Sequence, residues 1–311
     1  METRSPDRST LVAFFLSVLF AGNNAIAVKF SNADLPPFFG AASRFAAAAL
    51  ILFFIVLALR LPLPRGRSLQ GALIYGILTT GINYALMYWA LQYIQPGLSM
   101  VILALTPLLT FLFAWAHRQE AFQWKSVAGA VLALAGIGII ARDQLSASTP
   151  LLPILAVALA AACFAESSVL IKTYPKTHPI TTNAVSLLTG SILLFIFSFL
   201  GREKPVLPTL PATWAALAYL VIFGTVATFV LTLYVLKRWT ASASSYVFVL
   251  MPVVTIISSS LLIGEVVTLP FILGTVFVLG GTYIGGIART EQLKRVFSGV
   301  HFRRQARVSD C

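Results

Sequence analysis

Charge is what this 311-residue chain has least of. Asp, Glu, Lys and Arg make up 10% of it, against roughly 25% in a soluble domain. Hydrophobic residues make up 58%, and the mean hydropathy is +0.89. A chain this apolar cannot clothe itself in a polar surface, so its solvent is a bilayer. Cysteine is also scarce: Cys163 lies in an apolar stretch and Cys311 ends the sequence, which excludes a disulfide framework. The three histidines, His117, His178 and His301, fall in loops or at helix ends. No HExxH pair, Walker loop, Gly-rich nucleotide loop or Ser/His/Asp set accompanies them. These absences argue against an enzyme, a metal or other cofactor, and ATP-driven transport by this chain alone.

What is present is a series of ten apolar segments, at about 11–29, 38–60, 69–91, 97–117, 124–141, 150–172, 181–200, 212–236, 242–263 and 268–288. Each approaches the roughly 17–25 residues that a membrane-spanning helix needs. Arg4, Arg8 and the run ending Ala25-Ile26-Ala27 have the outline of a signal peptide, but Asn23, Asn24 and Lys29 within the segment argue for a retained helix. Ten spans put both termini on one side. That side collects nearly all the Lys and Arg of a chain with net charge +12, including a basic tail, 289–311. The other side has only Lys29, Arg142, Arg202 and Lys204, while Arg44 lies within a span. By the positive-inside rule the termini are cytoplasmic, so the basic tail is a lipid-headgroup signal rather than a nucleic-acid site.

The segments repeat. Pro107, Glu120, Gly129 and Gly136 recur as Pro252, Glu265, Gly274 and Gly281, all at an offset of 145. Asn23-Asn24 with Lys29 parallels Glu166-Ser167 with Lys172 at an offset of 143, as Pro36 parallels Pro179. Met87-Tyr88-Trp89 parallels Thr232-Leu233-Tyr234 at 145. Five spans per half is an odd number, so the second half must sit upside down relative to the first. The expected architecture is an all-α integral membrane protein of ten transmembrane helices in two inverted five-helix repeats, 11–141 and 150–288, after a short cytoplasmic N-terminus, 1–10. Inverted repeats are a hallmark of secondary transporters, with the substrate site where the halves meet.

These residues resemble the EamA branch of the drug/metabolite transporter superfamily. Its typical marks are a polar Asn and a Lys in the first helix, Pro then Arg across the second, and a Pro…Glu…Gly…Gly pattern over the fourth and fifth. Here they read Asn23/Asn24 with Lys29, Pro36/Pro37 with Arg44, and Pro107–Glu120–Gly129–Gly136, over about residues 11–288. The resemblance implies a ten-helix inner-membrane secondary transporter exporting amino acids or similar small metabolites. Phosphorylated metabolites, nucleosides and organic cations are the rival substrates. A membrane-embedded sensor or enzyme is the rival from another class. The implied partners are a small-molecule substrate, the lipid bilayer and protons.

Polar groups inside spans are few, so each can be weighed. Glu166, six residues or about 9 Å inside its helix end, is a candidate proton or amine site, or a structural partner of Lys172 or of a neighbouring helix. Arg44 is a candidate ligand for a carboxylate or phosphate, or a packing ion pair. Asn23, Asn24, Asn83, Ser167, Tyr75 and Thr79 are candidate pathway residues, with interhelical hydrogen bonding as the alternative. Thr225 and Thr228 belong to a polar stripe compatible with a lining. Tyr88 and Trp89 read as interfacial belt residues. Pro107 and Pro252 are candidate hinges, with fixed bends as the alternative. Glu120 and Glu265 read as boundary and capping residues first and gate residues second. The cavity is expected mainly from helices 1, 3, 6 and 8, with helices 2 and 9 contributing.

Overall fold

A computed structural model describes residues 8–119, 124–145, 151–238 and 246–284. Among them the chain forms ten helical rods and no strand. They are α1 (Arg8–Ser31), α2 (Pro37–Ala58), α3 (67–90), α4 (Pro96–Ala116), α5 (Trp124–Leu145), α6 (Leu151–Thr173), α7 (Pro179–Leu200), α8 (211–238), α9 (Tyr246–Ile263) and α10 (Leu269–Thr282). By length and hydropathy α1, α2, α4, α6, α7 and the stretch Pro211–Thr232 of α8 can each cross a membrane, and α5, α9 and α10 contain shorter apolar helices. Five rods open on proline in their first two positions: Pro37, Pro96, Pro179, Pro211 and Pro270. Proline has no N–H to leave unbonded there, and its fixed φ suits a first turn. Residues 1–7, Glu120 and the basic tail 289–311 lie outside the described residues.

The outer surface is apolar, as lipid requires. Leu57 is 76% exposed and Phe199 81%. Buried positions go instead to small residues such as Ala41, Ala42, Ala48, Ala160 and Ala161, which let helices approach closely.

Helix contacts follow an approximate two-fold relation that pairs α1 with α6, α2 with α7, α3 with α8, α4 with α9 and α5 with α10. The contacts α1–α8, α1–α9 and α2–α8 are matched by α6–α3, α6–α4 and α7–α3, while α2–α7, α4–α9 and α5–α10 pack on the axis. Lateral fissures follow the same relation. One of about 700 Å³ is lined by Leu152, Leu155, Leu86 and Trp89; another of about 400 Å³ is lined by Ser9, Val12, Leu231 and Tyr234. The α1/α6 residues keep the 143 offset, and the α3/α8 residues keep 145.

The repeated glycines of the sequence pattern lie in the α5–α10 crossing. A Cβ at Gly136 would stand 2.5 Å from the Gly274 carbonyl oxygen, and one at Gly274 would stand 2.6 Å from that of Gly136. Gly281 rests against Gly129 in the same way. The motif therefore encodes close backbone packing. The repeated prolines behave less alike. Pro107 sits in the first turn of a helical segment that restarts after a break at Ala104–Leu105 in α4, whereas Pro252 lies inside α9 with no break in the assigned helix.

One shared feature has no obvious signal in the sequence. Both α3 and α8 widen into π-helix, at Ile77–Ile82 and Ile222–Ala227, again 145 residues apart. A π-turn inserts one extra residue per turn and frees backbone groups that an α-helix would consume, and such turns are frequent at functional sites.

Candidate functional site

A cavity of about 100 Å³ lies inside the bundle, between α1, α3 and α4. Asn24 and Val28 of α1, Asn83, Tyr84, Met87 and Tyr88 of α3, and Met100, Leu103 and Thr106 of α4 form most of its wall. Arg44 of α2, Phe164 of α6 and Met251 of α9 complete it. The expected quartet of helices is thus corrected. α4 lines the cavity directly, because its break at Ala104–Leu105 turns Leu103 and Thr106 inward, while α8 acts from behind Arg44. Leu91 and Met100 carry the cavity from mid-bundle toward the face of the α3–α4 connection.

Arg44 is the centre of the site. It is 1% exposed. Its Nε donates to Thr225 Oγ1 at 3.2 Å, and one terminal nitrogen donates to the same oxygen at 3.1 Å and to the Gly224 carbonyl at 3.5 Å. The other terminal nitrogen reaches the Tyr88 hydroxyl at 3.4 Å. The guanidinium also lies 4.7 Å from the Phe45 ring centroid and 5.4 Å from that of Tyr84, within cation–π range. The π-turn of α8 builds the receiving surface. The Thr225 and Thr228 hydroxyls bond the carbonyls five residues back, Leu220 and Phe223, at 2.8 and 2.7 Å. The Gly224 carbonyl turns toward Asn24, whose Nδ2 donates to it at 3.2 Å. Residues from α1, α2 and α8 therefore meet at one carbonyl, across the boundary between the halves.

On the far side Asn83 donates to the Ala160 carbonyl at 2.7 Å, and Thr79 shares a 2.6 Å hydrogen bond with Ser167. Both tie α3 to α6.

A model of the EamA-like transporter family matches this chain twice, over residues 8–142 and 151–285. The chain belongs to the EamA-like transporter family. An uncharacterized transporter of Archaeoglobus fulgidus is 25% identical over 279 residues, which cover 88% of this chain and 97% of its own length. The uncharacterized inner membrane transporter YedA of Escherichia coli K12 is 26% identical over 81% of this chain and 82% of its own. A Salmonella typhimurium protein named "Probable amino-acid metabolite efflux pump" is 26% identical over 94% of this chain and 96% of its own. One solved crystal structure matches with a TM-score of 0.63 at 20% identity, over 92% of this chain and 100% of the other, and shares the fold. This EamA-family chain is accordingly a multi-pass membrane transporter.

Other sequence candidates fall elsewhere in the EamA fold. Glu166 does not line the cavity. Its side chain is 27% exposed and accepts or shares a 2.7 Å hydrogen bond with His117 Nε2, at the C-terminal end of α4. Of the structural partners expected for it, Lys172 or a neighbouring helix, Glu166 meets the second, because α6 turns this face toward α4. Asn23 is also outside the cavity: its amide returns to the Leu19 carbonyl at 2.8 Å, beside a lateral groove shared with Leu262. Thr228 spends its hydroxyl on the α8 π-turn. Tyr75 is half-buried one turn before Thr79. Tyr88, expected in an interfacial belt, is fully buried against Arg44 because the α3 π-turn rotates it inward. Trp89 remains half-buried in a lateral fissure, 5.2 Å from the Tyr93 ring.

Three carboxylates cap helices across the bundle on the face of the α1–α2, α7–α8 and α9–α10 connections. Asp34, between α1 and α2, accepts from Thr209 and Leu210 N–H at 2.6 and 2.9 Å, just ahead of α8. Glu203, between α7 and α8, accepts from Phe38 and Phe39 N–H at 3.1 and 2.8 Å, at the start of α2. Glu265 accepts from Gly97 N–H at 3.4 Å, at the start of α4. Each anion meets the positive end of a helix dipole. Burial pushes the Glu265 carboxyl up from its ordinary value, while Ser259, Gly97 and Lys29 pull it back.

Proposed function

We propose that this EamA-family chain is a secondary transporter that moves an amino acid or a similar small metabolite out of the cell by alternating access. Both termini face the cytoplasm and the bilayer is the inner (plasma) membrane. The observation that carries this reading is the Arg44 site, a buried guanidinium on a cavity wall where the two halves meet. The printed name of the Salmonella relative supports the substrate range, and the uneven Lys and Arg distribution supports the orientation. The same guanidinium keeps a phosphorylated metabolite as the second reading. An organic cation has no Asp or Glu among the lining residues to receive it.

Coupling to protons would pass through the Glu166–His117 pair, which bridges α6 and α4 on the face of the termini. Protonating either partner changes the charge of that bridge. The test of transport is counterflow of radiolabelled amino acids and related metabolites into liposomes holding the purified chain, with and without an imposed pH gradient. Saturable exchange that competes within one substrate set supports the reading. No exchange across a broad panel, from a preparation shown to be folded, sinks it.

A further inference from the structure

Arg44 carries a charge that no carboxylate among the described residues pairs with. Its four hydrogen bonds all go to neutral oxygens, those of Thr225, Gly224 and Tyr88. The cavity wall contains no Asp or Glu, and no ion pair found among the described residues involves Arg44. A buried charge without a counter-ion is costly in a low-dielectric interior, and an anionic ligand removes that cost.

Packing alone does not call for an arginine here. At the matching crossing of the two-fold relation, α7 meets the first π-turn through Gly190, which rests against Thr80 and the Gly81 N–H. The position that matches Arg44 at the 143 offset of Pro36 and Pro179 is Leu187, and Thr80, the counterpart of Thr225, meets the Ser186 hydroxyl at 3.5 Å, so that crossing closes without a cation. The second crossing holds a guanidinium instead, and only that crossing borders the cavity.

Around Arg44 the wall adds the neutral polar side chains of Asn24, Asn83, Tyr84, Tyr88 and Thr106, and the remainder is apolar. Of the four methionines in the chain, all three beyond the initiator line the cavity: Met87, Met100 and Met251. Methionine is flexible and polarizable, and suits a surface that must follow varied apolar shapes.

We propose that the cavity takes a monoanion with a small apolar body and no charged ammonium. Its carboxylate meets the Tyr88 side of the Arg44 fork, and its hydrocarbon lies against the methionines. The 2-oxo acids left when apolar amino acids lose their amino group have this chemistry. A zwitterionic amino acid would bring an ammonium for which the wall has no carboxylate and offers neutral acceptors alone, among them the buried, unpartnered Asn24 Oδ1. The inference rests on transport through this cavity and selects within the proposed range of metabolites.

The test uses three ligands with one carbon skeleton and three charges: 4-methyl-2-oxopentanoate (anion), leucine (zwitterion) and leucinol (cation). Each is titrated calorimetrically into the purified full chain in detergent, and each competes for exchange in proteoliposomes. The oxo acid is expected to bind at least tenfold more tightly than leucine, and leucinol not at all. Arg44→Gln, which keeps hydrogen-bond donors but loses the charge, should erase the tenfold preference. Leucine binding as tightly as the oxo acid overturns the assignment. So does a phosphate monoester of similar size displacing the oxo acid, or binding by none of the three. The wild-type series decides by itself if Arg44→Gln does not fold. Calorimetric preference without any exchange would sink the transport reading and leave the ligand class standing; exchange without charge preference would do the reverse.

Discussion

Gly224→Ala tests whether the α8 π-turn is built around Asn24 and Arg44. Gly224 is buried within Ile222–Ala227. A Cβ there would collide with the Asn24 amide oxygen and lie 3.2 Å from Asn24 Cγ and 3.4 Å from an Arg44 terminal nitrogen. Asn24 would have to withdraw, giving up its bond to the Gly224 carbonyl. Overpacking costs about 1–3 kcal/mol and the lost hydrogen bond about 1 kcal/mol. Alanine returns about 1 kcal/mol as the better helix former. The net is a destabilisation of about 1–3 kcal/mol, or a Tm lower by about 2–6 °C at roughly 2 °C per kcal/mol. Exchange should fall further than stability, because both displaced side chains are cavity wall. Gly81→Ala in the first π-turn is the control. Its nearest neighbour is Leu193 Cδ2 at 2.6 Å, the end of a side chain that can swing away, so it should melt and exchange nearly as wild type does. Thermal unfolding in detergent and counterflow in liposomes read both effects. A Gly224→Ala protein indistinguishable from wild type in both assays would refute the reasoning.

Three further outcomes are expected. Glu166→Gln should abolish the response of flux to a pH gradient while leaving the helical content intact, and flux with unchanged pH dependence removes the carboxylate from coupling. Gly136→Val should force α5 from α10, since its new atoms meet the Gly274 backbone, which cannot yield as a side chain does; a cost of at least about 1–3 kcal/mol should appear as a lower Tm or loss of monodisperse protein. Bonds from the Leu210 N–H first, and then from Thr209, hold the Asp34 carboxyl below its ordinary value. A lowered acid contributes stability above its unfolded pKa and loses it as pH falls through the folded one. Wild-type Tm should therefore drop below about pH 4, whereas Asp34→Asn should already lack that contribution at neutral pH and show a flatter profile.

Residues with one repeated job were legible in the sequence. The Gly129/Gly136 and Gly274/Gly281 pairs stood out by their offset, and they meet at one crossing because only glycine admits that backbone distance. Arg44, Asn24 and Asn83 were legible as polar groups in apolar spans, and all three line the cavity. Glu166 drew notice for the same reason yet faces His117, because depth along a helix says nothing about which neighbour a face meets. Tyr88 was misread for a related cause. Its position near a helix end suggested an interface, and a π-turn six residues earlier changed the direction in which it points.

By itself the sequence determined the solvent, the helical class, the ten segments and the doubling, because each depends on composition and spacing along the chain. Only the tertiary structure decided which helices wall the cavity, that α3 and α8 carry matched π-turns, and that Arg44 is held by neutral oxygens alone. Those facts depend on how helices distant in sequence rotate about their own axes when they pack. Hydrophobic periodicity constrains that rotation weakly in a membrane, where the lipid-facing and protein-facing sides of a helix are both apolar.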